Sequence, residues 1–144
     1  MNWTDAFQTL AIVATGLFSG AALYVNLVEH PARLESGVAV AATQWKPSYE
    51  RATRMQVPLA LLGFAAGLVA WFGHAGTLWL VGALLIVGVI PYTLVVIFPT
   101  NKKLLDPGLD KGSAEARGLL VRWGRLHAVR SILSLAAFLS FVAG

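Results

Sequence analysis

The apolar positions of this chain fall into four blocks. Windows free of any charge cover 6–28, 55–72 and 75–98, and a fourth apolar block fills 125–144. A helix crossing the hydrocarbon of a bilayer needs about 20 residues, with a range of roughly 17–25. The first three windows meet that length. The fourth is charge-free only after Arg130, so at about 1.5 Å per residue its crossing has to begin near Arg125. The pattern predicts an all-α integral membrane protein: one domain over 1–144, built as a bundle of four transmembrane helices.

Composition supports this. The chain is 57% hydrophobic and only 12% charged, against roughly 25% charged in ordinary soluble domains. A soluble protein of 15.4 kDa would need more polar surface to cover its core. There are no cysteines, which excludes a disulfide framework, a thiolate metal site and a catalytic thiol. The opening "MNWTDAF" carries Asp5 and no Lys or Arg, so the first block reads as a retained helix and not a cleavable signal.

Charge sets the expected topology. All 11 Lys and Arg lie in two stretches, Glu29 to Arg54 and Pro99 to Arg130, and the turn "GHAG" between the second and third blocks has none. The positive-inside rule then makes both long connections cytoplasmic and turns both termini outward. This also explains the net charge of +4 without invoking nucleic acid. The expected setting is a multi-pass protein of a bacterial inner membrane.

The connections carry structure of their own. In "QWKPSYERATRMQ", Pro47 suits a first helical position, predicting a helix on the membrane surface that continues into the second span, with a kink at Pro58. In "LLDPGLDKGSAEARG", Asp106-Pro107-Gly108 and Lys111-Gly112 signal turns, and a helix restarts at Ser113. Gly16 with Gly20, and Gly63 with Gly67, are small-residue pairs that let helices approach closely. Such surfaces leave a homo-oligomer open. No internal repeat stands out.

With this topology, polar residues gather at one membrane level. Asn26, Glu29 and His30 end the first span, Thr100 and Asn101 the third, and Trp123, His127 and Arg130 begin the fourth. His74 falls at the opposite end. A helix running from His127 to an outer boundary at Gly144 places Arg130 within the hydrocarbon, where an unpaired cation costs about 2.5–3.5 kcal/mol. Glu29 is the expected ion-pair partner of Arg130. An ionisable layer inside a membrane is a functional candidate, and three chemistries fit its residue types. His30, His127 and Glu29 form the ligand set of a non-haem iron site, and copper is the other metal considered. His30 and His127, flanked by Asn26 and Trp123, could instead be axial ligands of a haem. Without any cofactor, a His in an apolar pocket can serve as general base.

The motifs "NLVEHPARL", "QWKPSYERATRMQ", "IPYTLVVIFPTNKKLLD" and "WGRLHAVRSILSLAAF" occur in this order over nearly the whole chain. Together they resemble the anthrone-oxygenase-like family of small membrane proteins. The resemblance implies four spans and oxidation of an anthrone to an anthraquinone by molecular oxygen, on an apolar substrate that enters from the lipid bilayer. It points to His127 or His30 as the base and to Arg130 or Asn101 as the partner of the enolate oxygen. The reading that competes with an oxidoreductase is a non-catalytic membrane protein that binds a small molecule or metal, or belongs to a larger complex. A transporter fits less well, because four spans without an inverted repeat are few for alternating access.

Overall fold

A computed structural model describes residues 2–144. Among them every regular element is helical. In chain order these are α1 (Trp3–Tyr24), α2 (His30–Glu35), α3 (Val38–Phe72), α4 (Thr77–Tyr92), α5 (Phe98–Leu104) and α6 (Ala114–Ala143), with π-helical turns at Val25–Glu29 and Thr93–Ile97. Each π turn joins its neighbours without a break, so four continuous helices are long and apolar enough to span a membrane. With α1 packed on α3, α3 on α4, α4 on α6 and α6 on α1, they form a ring. The turn at Gly73 approaches Trp3 and Thr4, and Gly144 approaches Leu78 and Trp79, so both termini and the short turn share one end.

Local chemistry sets the boundaries. Asn2 and Asp5 form a reciprocal capping box that opens α1. Gly37 (φ 98°) and Gly76 (φ 109°) take backbone conformations that a side chain would strain, and α3 and α4 start just after them. Ser113 caps α6 by accepting from the Ala116 amide at 3.0 Å. One expectation is corrected here. Pro47 does not start a helix; α3 begins nine residues earlier, at Val38, and both Pro47 and Pro58 lie inside it. At 1.5 Å per residue its 35 residues extend about 52 Å, so the segment expected as a separate surface helix is continuous with the span.

Each π turn runs into a proline. A proline ring collides with the carbonyl four residues back in a regular helix. For Pro31 and Pro99 those carbonyls belong to Leu27 and Val95, each within a π turn, where the wider winding moves the carbonyl aside. The coincidence exposes an internal repeat that the residue pattern did not. Tyr24 and Pro31 have the same spacing as Tyr92 and Pro99, and Trp45, Tyr49 and Thr53 the same as Trp123, His127 and Ser131. Each half of the chain is a helix, a π turn, a proline, a short helix and then a long return helix.

Small residues allow the helices close contact. Ala11, Ala22, Ala60, Ala66, Ala70, Ala83 and Ala137 are all buried in the core, around Phe18, Ile86 and Phe141. Phe141 stacks on Trp79 and lies over Gly67 and Gly82. A Cβ on Gly82 would come within 2.6 Å of the Phe141 ring, whereas one on Gly20 would meet nothing within 4 Å. Gly82→Ala is therefore expected to destabilise the bundle by about 1–3 kcal/mol. Gly20→Ala should be neutral or slightly stabilising. Reversible unfolding in mixed micelles measures both.

Candidate functional site

The polar layer assembles at the end of the bundle away from the termini, where the first π turn lies against α6 and His30, at the start of α2, reaches Leu120 on α6. Its centre is the Asn26 side chain. Nδ2 donates to the Gly124 carbonyl at 2.9 Å, while Oδ1 lies 2.6 Å from His127 Nδ1 and accepts from Ser131 Oγ at 2.6 Å. A backbone carbonyl only accepts, so the amide cannot be flipped, and Asn26 Oδ1 in turn can only accept. The proton of His127 is therefore on Nδ1. Nε2 keeps its lone pair, has no hydrogen-bond partner among the described residues, and belongs to a side chain that lines a pocket.

His30 differs. Its Nε2 lies 2.9 Å from the Leu120 carbonyl and so carries the proton, and its Nδ1 faces Arg33 Nη1 at 3.3 Å. Both nitrogens are engaged, which makes His30 a brace between α2 and α6. Gly124 is required there, since a Cβ would sit 2.7 Å from His30 Cδ2. Both imidazoles pack on the Trp123 indole, His30 at 4.9 Å and His127 at 4.8 Å between ring centroids.

Glu29 is not the partner of Arg130. Its Oε1 takes Arg33 Nη2 at 2.5 Å, Ser48 Oγ at 2.7 Å and Gln44 Nε2 at 3.1 Å. Its position one helical turn before Arg33 makes the nearer pair the cheaper to form. Among the described residues Arg33–Glu29 is the ion pair. Arg130 instead donates to the neutral Gln56 Oε1 at 2.6 Å and lies 5.0 Å above the centroid of the Phe18 ring. Among the described residues its charge has no carboxylate against it.

The metal and haem expectations do not match these donors. No group of three or more His, Cys, Asp or Glu side chains comes together as a metal site among the described residues. His30 has no free lone pair, and Glu29 is committed to three donors. The triad of His30, His127 and Glu29, and the pairing of the two histidines about a haem, would each require that network to be dismantled.

The residues do build a small polar pocket. It is lined by His127, Arg130, Arg33, Gln56, Asn101 and Tyr49, together with Trp45, Trp123 and parts of both π turns. Asn101 is 1% exposed, and neither its Nδ2 nor its Oδ1 has a partner. Trp45 Nε1, Arg33 Nε and Arg130 Nε are unpartnered too. An unpartnered buried polar group costs about 1–3 kcal/mol. The set comprises four donors and one acceptor next to an uncompensated cation, which suits an oxygen-rich or anionic guest. Thr100 is buried nearby on α5, and His74 sits in the distant turn.

Sequence reasoning placed Asn26, Asn101, Trp123, His127 and Arg130 in this layer. It passed over Gln56, Arg33, Trp45 and Tyr49 as pocket residues. Gln56 did leave a signal, an uncharged polar residue inside the second window, which a search for charge-free runs overlooks. Arg33 was read only as a topological charge.

A family model described as anthrone oxygenase matches residues 45–140. Anthrone oxygenase tpcL of Aspergillus fumigatus is 30% identical, over 89% of this chain and 86% of its own length. An anthrone oxygenase of Claviceps purpurea is 28% identical over 86% of this chain and 80% of its own. Anthrone oxygenase ptaC of Pestalotiopsis fici is 32% identical over 76% and 89%. No solved structure matches significantly. These relatives are fungal, so they lend no support to a bacterial inner membrane. The location established is a membrane crossed several times.

The ion pairing is open to a direct check. In a double-mutant cycle on unfolding free energy, Glu29→Gln and Arg33→Gln should couple by about 0.5–3 kcal/mol. Glu29→Gln and Arg130→Gln should add to within about 0.5 kcal/mol. The reverse order would restore the Glu29–Arg130 pair.

Proposed function

The chain belongs to the anthrone oxygenase family, and on that premise we propose that it is a membrane-embedded oxygenase that oxidises an anthrone-type substrate with molecular oxygen. His127 is the base. The observation that carries this reading is that His127, whose Nε2 has no partner among the described residues, lines the same pocket as Arg130, which has no carboxylate partner among them.

The chemistry suits these groups. An anthrone has a methylene carbon flanked by two aromatic rings and conjugated through them with a ring carbonyl, so losing a proton leaves an enolate. His127 Nε2 takes that proton. Arg130, with Asn101 Nδ2 near it in the pocket lining, holds the developing enolate oxygen. The electron-rich enolate passes one electron to oxygen, and the resulting pair combines into a carbon–peroxide bond. The peroxide takes a proton from His127. Loss of the second methylene proton with cleavage of the O–O bond leaves the new carbonyl and water. The balance is one anthrone and one oxygen in, one anthraquinone and one water out. Asn26 holds the Nδ1–H tautomer throughout, and its carbonyl supports the positive imidazolium.

By the positive-inside rule, the polar layer lies at the cytoplasmic side, near the basic connections. Purified protein in liposomes should convert anthrone to anthraquinone faster than the spontaneous reaction, with one oxygen consumed per quinone. His127→Ala should lower kcat by about 10²–10⁴-fold. His30→Gln should lower the unfolding temperature yet keep kcat within tenfold in the folded fraction. Equal losses of kcat in both variants would end the assignment of His127 as the base.

A further inference from the structure

The polar pocket is too small for the whole substrate. Its free volume is about 20 Å³, roughly the room of one water molecule. A three-ring body must lie elsewhere while its oxygen edge reaches Arg130. Beside the pocket runs a second cavity of about 120 Å³, between α3 and the α4–α5 helix. Tyr49, Thr53, Thr93 and Arg130 line both, so the two adjoin across a shared wall.

The chemistry of the second cavity is graded. Its inner end holds those four polar side chains. Beyond them it is walled by Phe18, Ala60, Val89 and Ile90. Its mouth is formed by Val57, Leu94 and Phe98, which are exposed by 36%, 61% and 39%. In a membrane-spanning bundle such exposed apolar side chains face lipid. The groove therefore leads from the acyl chains to a guanidinium through an apolar wall.

We propose that this groove between α3 and α4 is the lateral entrance and ring-binding subsite for the flat aromatic body of the substrate, which arrives from the lipid with its oxygen edge toward Arg130. The assignment rests on the reaction proposed above for the choice of occupant. The groove's shape, lining and lipid-facing mouth stand apart from that reaction. An apolar ring system spread in the bilayer leaves it here without crossing water, and its one oxygen-bearing edge finds the uncompensated cation.

Two measurements test this separately from the reaction. The first is kinetic. Val57→Trp and Leu94→Trp each place an indole at the mouth from opposite sides, away from His127 and Arg130. Both should raise KM for anthrone at least tenfold with little change in kcat. Leu84→Trp, exposed on α4 but outside the groove lining, should leave both constants unchanged. The second is photolabelling with anthraquinone itself, whose excited carbonyl abstracts nearby C–H hydrogens. In proteoliposomes the adducts should concentrate on α3 and α4 at the groove, and Val57→Trp should abolish them. Labelling at the groove without any turnover by the wild-type chain would refute the proposed reaction and keep the entrance. Turnover that both mouth variants leave unaltered, or adducts spread evenly over the lipid-facing surface, would refute the entrance and keep the reaction.

Discussion

Three hydrogen bonds to one amide hold the site together. Asn26 joins the first π turn to α6 through Gly124, His127 and Ser131 at once. Each bond alone is modest, but here the surroundings are lipid and protein, and a missing partner cannot be replaced by water. The clamp also fixes the imidazole tautomer. The contact that closes the α1–α6 seam is thus also the one that leaves the Nε2 lone pair of His127 free. Helix packing and imidazole tautomer depend on the same side chain.

Around this clamp the charges are arranged unevenly. Glu29 is surrounded by Arg33, Ser48 and Gln44 and is spent on holding α2 and the start of α3 in place. Arg130 is left with a neutral amide and a ring face. A positive charge held in a low-dielectric interior without a counter-ion interacts strongly with whatever negative charge develops beside it. Neutralising it with an acidic neighbour would steady the free protein and remove that attraction.

Much of this was legible in the chain. The four apolar blocks and the membrane setting follow from charge-free windows, because hydrocarbon imposes a minimum length on any helix that crosses it; the extensions of those helices beyond the windows do not. The gathering of His127, Arg130, Asn26 and Asn101 followed from counting depth along those helices. The pairings did not follow. Glu29 was assigned to Arg130 on depth alone, while Arg33, one turn away on its own helix, was the shorter reach. The two histidines look equivalent in sequence, and only their hydrogen-bond partners separate a ring with both nitrogens engaged from one with a free Nε2. The π turns were invisible to a 3.6-residue count, although the prolines that favour them, Pro31 and Pro99, were in plain view.

The repeat gives the bundle a further meaning. Aligning the two halves on Tyr24–Pro31 and Tyr92–Pro99 sets Asn26 against Leu94 and His30 against Phe98. The first copy thus places hydrogen-bonding groups at the α1–α6 seam and ties it shut through Gly124 and Leu120. The second copy puts Leu94 and Phe98 at the corresponding positions of the α3–α4 seam, and neither side chain can hydrogen-bond. A perfectly symmetric bundle would have two doors or none. This one has a tied side and an apolar side, made from two versions of one motif that differ at a few positions.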